Sequence, residues 1–178
     1  MGSNALRLSH NPMAPELLKY ADQMGFIVIN EIFDEWLEPK RPHGYSSHFM
    51  EWREQDIADW MRRDRNHPSV VAWSLGNEVP EQRMGESGVE IFSDLIDIAS
   101  RHDTTRPFTA GLDHVDAATE SGFAQLLDLV GYNYRKYRYR EDHEQHPERV
   151  IYGAETLIYP LHDYDSWLTG IIRYRGKR

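Results

Sequence analysis

Short apolar runs rich in β-branched residues alternate with segments of helical periodicity along the whole chain, and this alternation limits its fold more than any other feature. The runs read as strands are 5–9, 26–29, 70–75, 107–110, 129–134 and 150–154. Between them, Leu17, Leu18, Ala21 and Met24 share one helical face, with Gly25 as a stop. A second helix is expected from about His48 to Arg65, with Ile57, Trp60 and Met61 at i, i+3, i+4. Ser87-x-x-Glu90 has the form of a capping box opening a helix with the stripe Val89, Phe92, Leu95, Ile96 and Ala99. Weaker helical patterns follow around Phe123 to Leu127 and from about Tyr164 to Ile172. Strands in strict alternation with helices make a parallel sheet, because a parallel neighbour is reached only through a long crossover.

Two architectures satisfy that order, an open doubly wound sheet and a closed (β/α) barrel. An open nucleotide-binding sheet usually carries a glycine-rich phosphate turn after its first strand. Here that position reads Leu8-Ser9-His10-Asn11-Pro12, and no G-x-G-x-x-G or phosphate-loop pattern occurs in the chain. Polar side chains instead stand at the ends of most strands: His10, Glu31, Glu78, Asp113, Tyr134 and Glu155. That distribution suits a barrel mouth, where several strands contribute to one pocket.

Two of these ends carry the functional argument. The runs Ser69-Val70-Val71-Ala72-Trp73-Ser74-Leu75-Gly76-Asn77-Glu78 and Val150-Ile151-Tyr152-Gly153-Ala154-Glu155 each deliver one carboxylate at the tip of a stiff strand. Hydrolysing an acetal between sugars needs one carboxylic acid to protonate the leaving oxygen and one carboxylate to attack the oxocarbenium-like carbon. Two strand-end glutamates meet that need, and strand tips hold reacting groups more firmly than free loops do. Other candidates are weaker. Asp34, Glu35 and Trp36 open a long loop from Phe33 to about Ser47 and either reach a sugar or form loop surface. Trp73 reads as barrel packing, and His143 with His146 lacks a third ligand for a metal.

Charge and composition exclude other classes. The net charge is −9 and no long basic cluster precedes the tail Arg173-Tyr174-Arg175-Gly176-Lys177-Arg178, which argues against a nucleic-acid or membrane partner. No apolar run reaches the roughly 20 residues of a membrane span. Cysteine is absent, which excludes disulfides and thiolate metal sites and fits the cytosol. Met1-Gly2-Ser3 has the form of an expression remnant, so the native location stays open.

The chain resembles the catalytic barrel domain of glycoside hydrolase family 2, which includes β-galactosidases, β-glucuronidases and β-mannosidases. The resemblance lies in Asn4-Ala5-Leu6-Arg7-Leu8-Ser9-His10-Asn11-Pro12, Met24 to Glu31, His67 to Glu78, Thr105-Arg106-Pro107, Gly131-Tyr132-Asn133-Tyr134 and Gly153-Ala154-Glu155-Thr156, all in family order. It implies a TIM-barrel-type α/β domain spanning 1–178, with strands two to seven present and strands one and eight missing, six of eight β/α units. It implies a retaining exo-β-glycosidase of β-galactosidase type, with Glu78 as acid and then base and Glu155 as nucleophile. Asn77 is then expected to bind the sugar 2-hydroxyl, Tyr134 and Arg7 to orient Glu155, and His10 to bind a hydroxyl or support the pocket floor. Asp34 and Asn133 join the expected substrate-binding set. No cofactor is expected; a family magnesium finds no matched ligands here.

Departures from the family pattern carry expectations of their own. Asn30 stands where the family has Asp, which is expected to weaken an ion pair supporting the mouth. A six-strand unit exposes two sheet edges, so the expected partners besides a carbohydrate substrate are a second copy of the chain or missing flanking domains. The competing reading is a weak or inactive fragment that self-associates through those edges. No glucuronidase-type Asn-x-Lys clamp for a carboxylate is seen in the sequence.

Overall fold

The computed structural model describes residues 2–156; the helix expected over 164–172 and the basic tail lie outside them. Six strands form one parallel sheet in sequence order: β1 (Ala5–Leu8), β2 (Ile27–Glu31), β3 (Val70–Asn77), β4 (Phe108–Leu112), β5 (Leu129–Asn133) and β6 (Ile151–Glu155). The crossovers carry α1 (Pro15–Met24), α2 (Ser46–Asp64), α3 (Glu86–Ser100), α4 (Val115–Ser121) and α5 (Tyr139–Gln145). Every sheet neighbour is parallel, with registers such as Leu6 beside Val28, Ser74 beside Thr109 and Tyr132 beside Gly153.

The sheet is strongly curled. Laid flat, five strand spacings would put β6 about 24 Å from β1. Yet the Arg7 guanidinium on β1 lies 2.8 Å from the Glu155 carboxylate on β6. The two ends therefore face each other across an incomplete barrel, the architecture expected from the strand ends. Among the described residues β1 and β6 each keep one unpaired edge. No described helix is long and apolar enough to cross a membrane.

Local chemistry explains the element ends. Pro15 opens α1, where its missing N–H costs nothing, and Gly25 closes it at φ 73° with its N–H on the Ala21 carbonyl. β3 runs two residues past its apolar stretch because Gly76 lets the strand pass the Trp36 ring; a Cβ there would lie 2.8 Å from that ring. Two expectations need correction. The capping box does not form: Gly85 caps α3 without a side-chain bond, and Ser87, already inside the helix, donates to the Met84 carbonyl. The helix expected near Phe123 lies earlier, as α4, because Gly122 at φ 90° ends it and leaves only a 3-10 turn at Ala124–Leu126.

The helices cover the outer face of the sheet. Trp36, Phe92 and Phe123 are fully buried and pack with ring centroids 4.6 to 5.9 Å apart. Trp73, read as packing, meets Trp60 edge-on at 4.7 Å and donates its indole N–H to Asp103. Burial would raise the Asp103 pKa, but hydrogen bonds from Thr105, Trp73 and Arg106 hold it well below the usual carboxylate range. The aromatic cluster fixes the α3 side of the sheet, so Phe92→Ala should cost about 3–5 kcal/mol of unfolding free energy in a urea titration. A loss under about 1 kcal/mol would show that the cluster refills the space.

Candidate active site

Glu31, the last residue of β2, is completely buried, and a buried carboxylate is tolerated only with charged and hydrogen-bonding partners. Arg7 supplies the charge, with Nε at 3.1 Å and Nη2 at 2.8 Å. Ser74 donates its hydroxyl at 2.5 Å from β3, the register neighbour of Glu31, and His10 Nδ1 approaches at 2.9 Å. The bond to Glu31 raises the His10 pKa against an opposing effect of burial.

Arg7 then reaches outward. Its Nη1 donates to Glu155 and its Nη2 to the Asn77 side-chain oxygen, each at 2.8 Å. That oxygen also accepts from the Asn133 amide at 3.0 Å, and the same amide lies 3.0 Å from the Glu78 carboxylate. Asn77 in turn donates to Asp34 at 3.2 Å. The Tyr134 hydroxyl donates to Glu155, and His10 Nε2 stands 3.6 Å from it. Burial alone would push Glu155 up; the Tyr134 bond and then Arg7 outweigh it, so its pKa is lowered. The Tyr134 phenol is pushed up to about 12, chiefly by its bond to Glu155.

Two of these residues sit in the left-handed region, Glu78 at φ 44° and Tyr134 at φ 58°. Such conformations cost of order 1–3 kcal/mol each and persist only where neighbours over-determine them. Here the neighbouring strands do so. The Glu78 amide donates to the Gly111 carbonyl at 2.8 Å, and the Tyr134 amide to the Glu155 carbonyl at 2.6 Å. Each strand thus remains bonded to its neighbour while its next side chain is turned over the mouth.

All the residues singled out as a site, Arg7, His10, Asp34, Asn77, Glu78, Asn133, Tyr134 and Glu155, meet in this one hydrogen-bonded cluster. Other residues go elsewhere. Trp36 is in the core and donates to the Leu75 carbonyl, so it does not line the mouth. Glu35 is buried under its own loop, accepting the Lys40 and Ser46 amides. Asp113 accepts from Gln82. Asn30 faces the helix layer and donates to Asp64 on α2, so its departure from the family's Asp leaves the mouth untouched. Among the described residues no group of three His, Cys, Asp or Glu side chains is arranged to hold a metal; His143 and His146 stand apart from any such set.

The sequence reading passed over three contributors: Ser74, Lys40 and Gly111. Ser74 had a signal, a lone hydroxyl inside an apolar strand. Gly111 is the floor of the cluster. A Cβ there would meet Arg7 Nη2 at 2.8 Å and Asn77 Oδ1 at 2.9 Å. Beside the cluster, a cleft of about 560 Å³ opens between Phe33, Tyr45, Trp60 and Arg63, and Asp34 lines it too.

The chain matches the family model described as glycosyl hydrolases family 2, TIM barrel domain, over residues 1–151. It is 40% identical over 164 residues to beta-galactosidase BoGH2A of Bacteroides ovatus, covering 75% of this chain and 19% of that protein. A putative beta-glucuronidase of Formosa agariphila is 39% identical over 134 residues, covering 75% of this chain and 11% of that protein. A crystal structure of a glycosyl hydrolase family 2 member from Bacteroides cellulosilyticus superposes with TM-score 0.87 at 41% identity, covering 96% of this chain and 21% of that one. The chain thus spans about a fifth or less of the length of these relatives.

The packing over Gly111 gives a direct test. Gly111→Ala should force Arg7 or Asn77 aside and lower stability by about 1–3 kcal/mol, read by thermal or urea unfolding. An unchanged unfolding midpoint would mean that the polar cluster yields freely.

Proposed function

Because the chain belongs to glycosyl hydrolase family 2, as part of that family's TIM-barrel domain, we propose that it carries the catalytic carboxylates of a retaining exo-β-glycosidase acting on terminal β-galactosides. The observation that carries this reading is the convergence of Glu78 and Glu155, from β3 and β6, on one network through Asn133, Asn77 and Arg7. In the first step Glu155 attacks the anomeric carbon while Glu78 gives its proton to the departing glycosidic oxygen. The bond to the aglycone breaks, its electron pair leaves on that oxygen, and a glycosyl ester forms on Glu155. In the second step Glu78 takes a proton from water, whose oxygen attacks the same carbon and displaces Glu155. Retention calls for carboxyl groups roughly 5 to 5.5 Å apart.

The other side chains serve these steps. Tyr134 and Arg7 keep Glu155 ionised and aimed. Asn77 presents its amide to the sugar 2-hydroxyl, and His10, Asp34 and Asn133 take further hydroxyls. One fact supports a neutral galactoside over a uronic acid; identity does not choose, since a relative named beta-galactosidase is 40% identical and one named putative beta-glucuronidase is 39% identical. The cations that reach the cluster among the described residues, Arg7 and Lys40, are already committed to Glu31, Glu155, Asp34 and the Asn77 carbonyl.

One observation favours a second reading. Among the described residues β1 and β6 each keep a free edge that offers an unpaired strand to another copy, an assembly in which the glutamates would be relics without turnover. Hydrolysis of an aryl β-galactoside, alongside a mass measurement in solution, separates the two. Glu155→Ala should abolish turnover, and added azide should then yield a glycosyl azide of inverted configuration. Glu78→Ala should lose far more rate on a poor leaving group than on an activated aryl one, since acid assistance matters less for the latter. Equal losses would overturn the acid role. A self-associated wild-type chain with no turnover of any aryl glycoside would favour the assembly reading.

The lowered Glu155 pKa fixes a sign for pH dependence. A carboxylate stabilised in its charged form stays ionised below its ordinary range, so the acidic limb of kcat/KM should lie below the usual glutamate range. Tyr134→Phe removes a hydrogen bond to that charged form and should move the limb to higher pH. A limb that stays in place would show that the tyrosine does not tune Glu155.

A further inference from the structure

Lys40 lies in the long loop between β2 and α2, away from both proposed catalytic glutamates in sequence, yet its ammonium reaches the backbone beside one of them. It donates to the Asn77 carbonyl at 3.1 Å, to the Asp34 carboxylate at 2.7 Å and to the Asp34 carbonyl at 3.0 Å, one acceptor for each N–H. A cation satisfied in this way is not held in reserve for a substrate anion. Its contacts point inward, to the peptide that joins Asn77 to Glu78.

That peptide is gripped from both sides. Its carbonyl faces Lys40, and its N–H, which belongs to Glu78, donates to the Gly111 carbonyl at 2.8 Å. Rotation about the next bond gives Glu78 its φ of 44°, so the plane held by Lys40 and Gly111 is the reference from which the Glu78 side chain is aimed. Asp34 extends the grip, because the carboxylate oxygen that accepts Lys40 also accepts the Asn77 amide at 3.2 Å.

The loop is built to deliver Lys40 to this place. The Trp36 indole donates to the Leu75 carbonyl at 2.8 Å, anchoring the start of the loop on β3. The buried Glu81 carboxylate accepts the Glu38 amide at 2.8 Å. The buried Glu35 carboxylate accepts the Lys40 amide at 2.8 Å and the Ser46 amide at 2.9 Å, and Gly44 leaves it the space a Cβ would fill. Two buried carboxylates thus hold the loop backbone, and one buried indole ties the loop to β3.

We infer that Lys40 is a positioning residue for Glu78: by holding the Asn77 carbonyl and, through Asp34, the Asn77 amide, it fixes the left-handed backbone from which the acid/base carboxylate is aimed. The inference rests on the reading of Glu78 as the proton donor. Displacements of about 1 Å at a reacting group cost on the order of 100-fold in rate, and only a step that needs the proton feels this one.

The test uses the full chain with Lys40→Met, which keeps most of the side-chain volume and removes the charge. Alkyl β-galactosides, which need protonation, should lose about 10- to 100-fold in kcat/KM, and dinitrophenyl β-galactoside under about 3-fold. Lys40→Arg, which keeps the cation, should recover part of the loss. A role confined to stability would lower both substrates alike, and that result, or no loss on either, overturns the inference. Amide hydrogen exchange at Glu78 gives a readout independent of turnover. It should quicken about 10-fold or more in Lys40→Met while α3 amides keep their rates. If the wild-type chain turns over no glycoside, the functional reading fails, and unchanged exchange at Glu78 then overturns the positioning claim on its own. If Lys40→Met does not fold, Lys40→Gln, neutral and shorter, takes its place with the same expected direction.

Discussion

The ion pair between Arg7 and Glu31 is the constraint on which the rest of the mouth depends. Glu31 has no exposed surface, so its charge is tolerable only because Arg7, Ser74 and His10 surround it. Arg7 in turn is fixed by that pair in a pose from which its remaining donors reach Asn77 on β3 and Glu155 on β6. One guanidinium therefore ties four strands, β1, β2, β3 and β6. A lysine could not replace it, since a single ammonium cannot present the planar fork that meets a carboxylate on one side and two further acceptors on the other. Removing either partner strips the other of its main buried counter-charge, leaving Glu31 with only His10 and Ser74 or Arg7 with only Glu155 and Asn77, and the loss of Arg7 would also release Glu155.

The same contact reports the curvature of the sheet. Glu78 and Glu155 are separated by three strand spacings, about 14 Å along the sheet, and only curling turns that arc into a shorter chord. Asn133 holds the inner side of the arc by bonding Asn77 and Glu78, while Arg7 reaches Glu155 across the open side. The position of Glu155 is thus set both by its own strand and by the first strand of the sheet. In a closed barrel the curvature is imposed by strand number and tilt. Among the described residues it is supported by a polar network at the mouth and by aromatic packing of Trp36, Phe92 and Phe123 behind β3.

Much of this was legible in the sequence, for a physical reason. Strands buried on both faces must be apolar, so a carboxylate at the end of such a run, as at Glu31, Glu78 and Glu155, stands out against its neighbours. Parallel pairing followed from alternation, and the choice of a barrel over a doubly wound sheet from the polar strand ends and the missing glycine-rich phosphate turn. What stayed hidden depended on backbone geometry and on loops. The stop at Gly122 shifted the fourth helix, and α5 is a charged segment whose only deeply buried side chain is Asp142, held by Tyr132 and Arg138, so no apolar stripe announced it. Asn30 and Glu31 are adjacent yet face opposite sides of β2, and the composition of the pair does not say which one meets the mouth. Trp36 was misplaced for a similar reason: an aromatic residue in a long loop reads as a surface platform, whereas here it closes the core over Gly76.

Lys40 is the clearest case of a residue that no local pattern reveals. Its place is set by Glu35 and Glu81, whose buried carboxylates accept loop amides, and by Trp36, whose buried indole ties the loop to the Leu75 carbonyl of β3; none of the three touches the proposed reacting groups. Burial pushes the Glu81 pKa up, and one of its oxygens has no hydrogen-bond partner, so that anchor is held at a cost. Conformational strain at Glu78 is maintained in the same way, by neighbours that leave the chain no lower-energy alternative. The loop and the strand end therefore form one mechanical unit: unfavourable local choices at Glu78 and Glu81 persist because the bonds between the two segments are satisfied only when both are in place. This is why the stability of the β2–α2 loop and the aim of the carboxylate on β3 should not be separable properties.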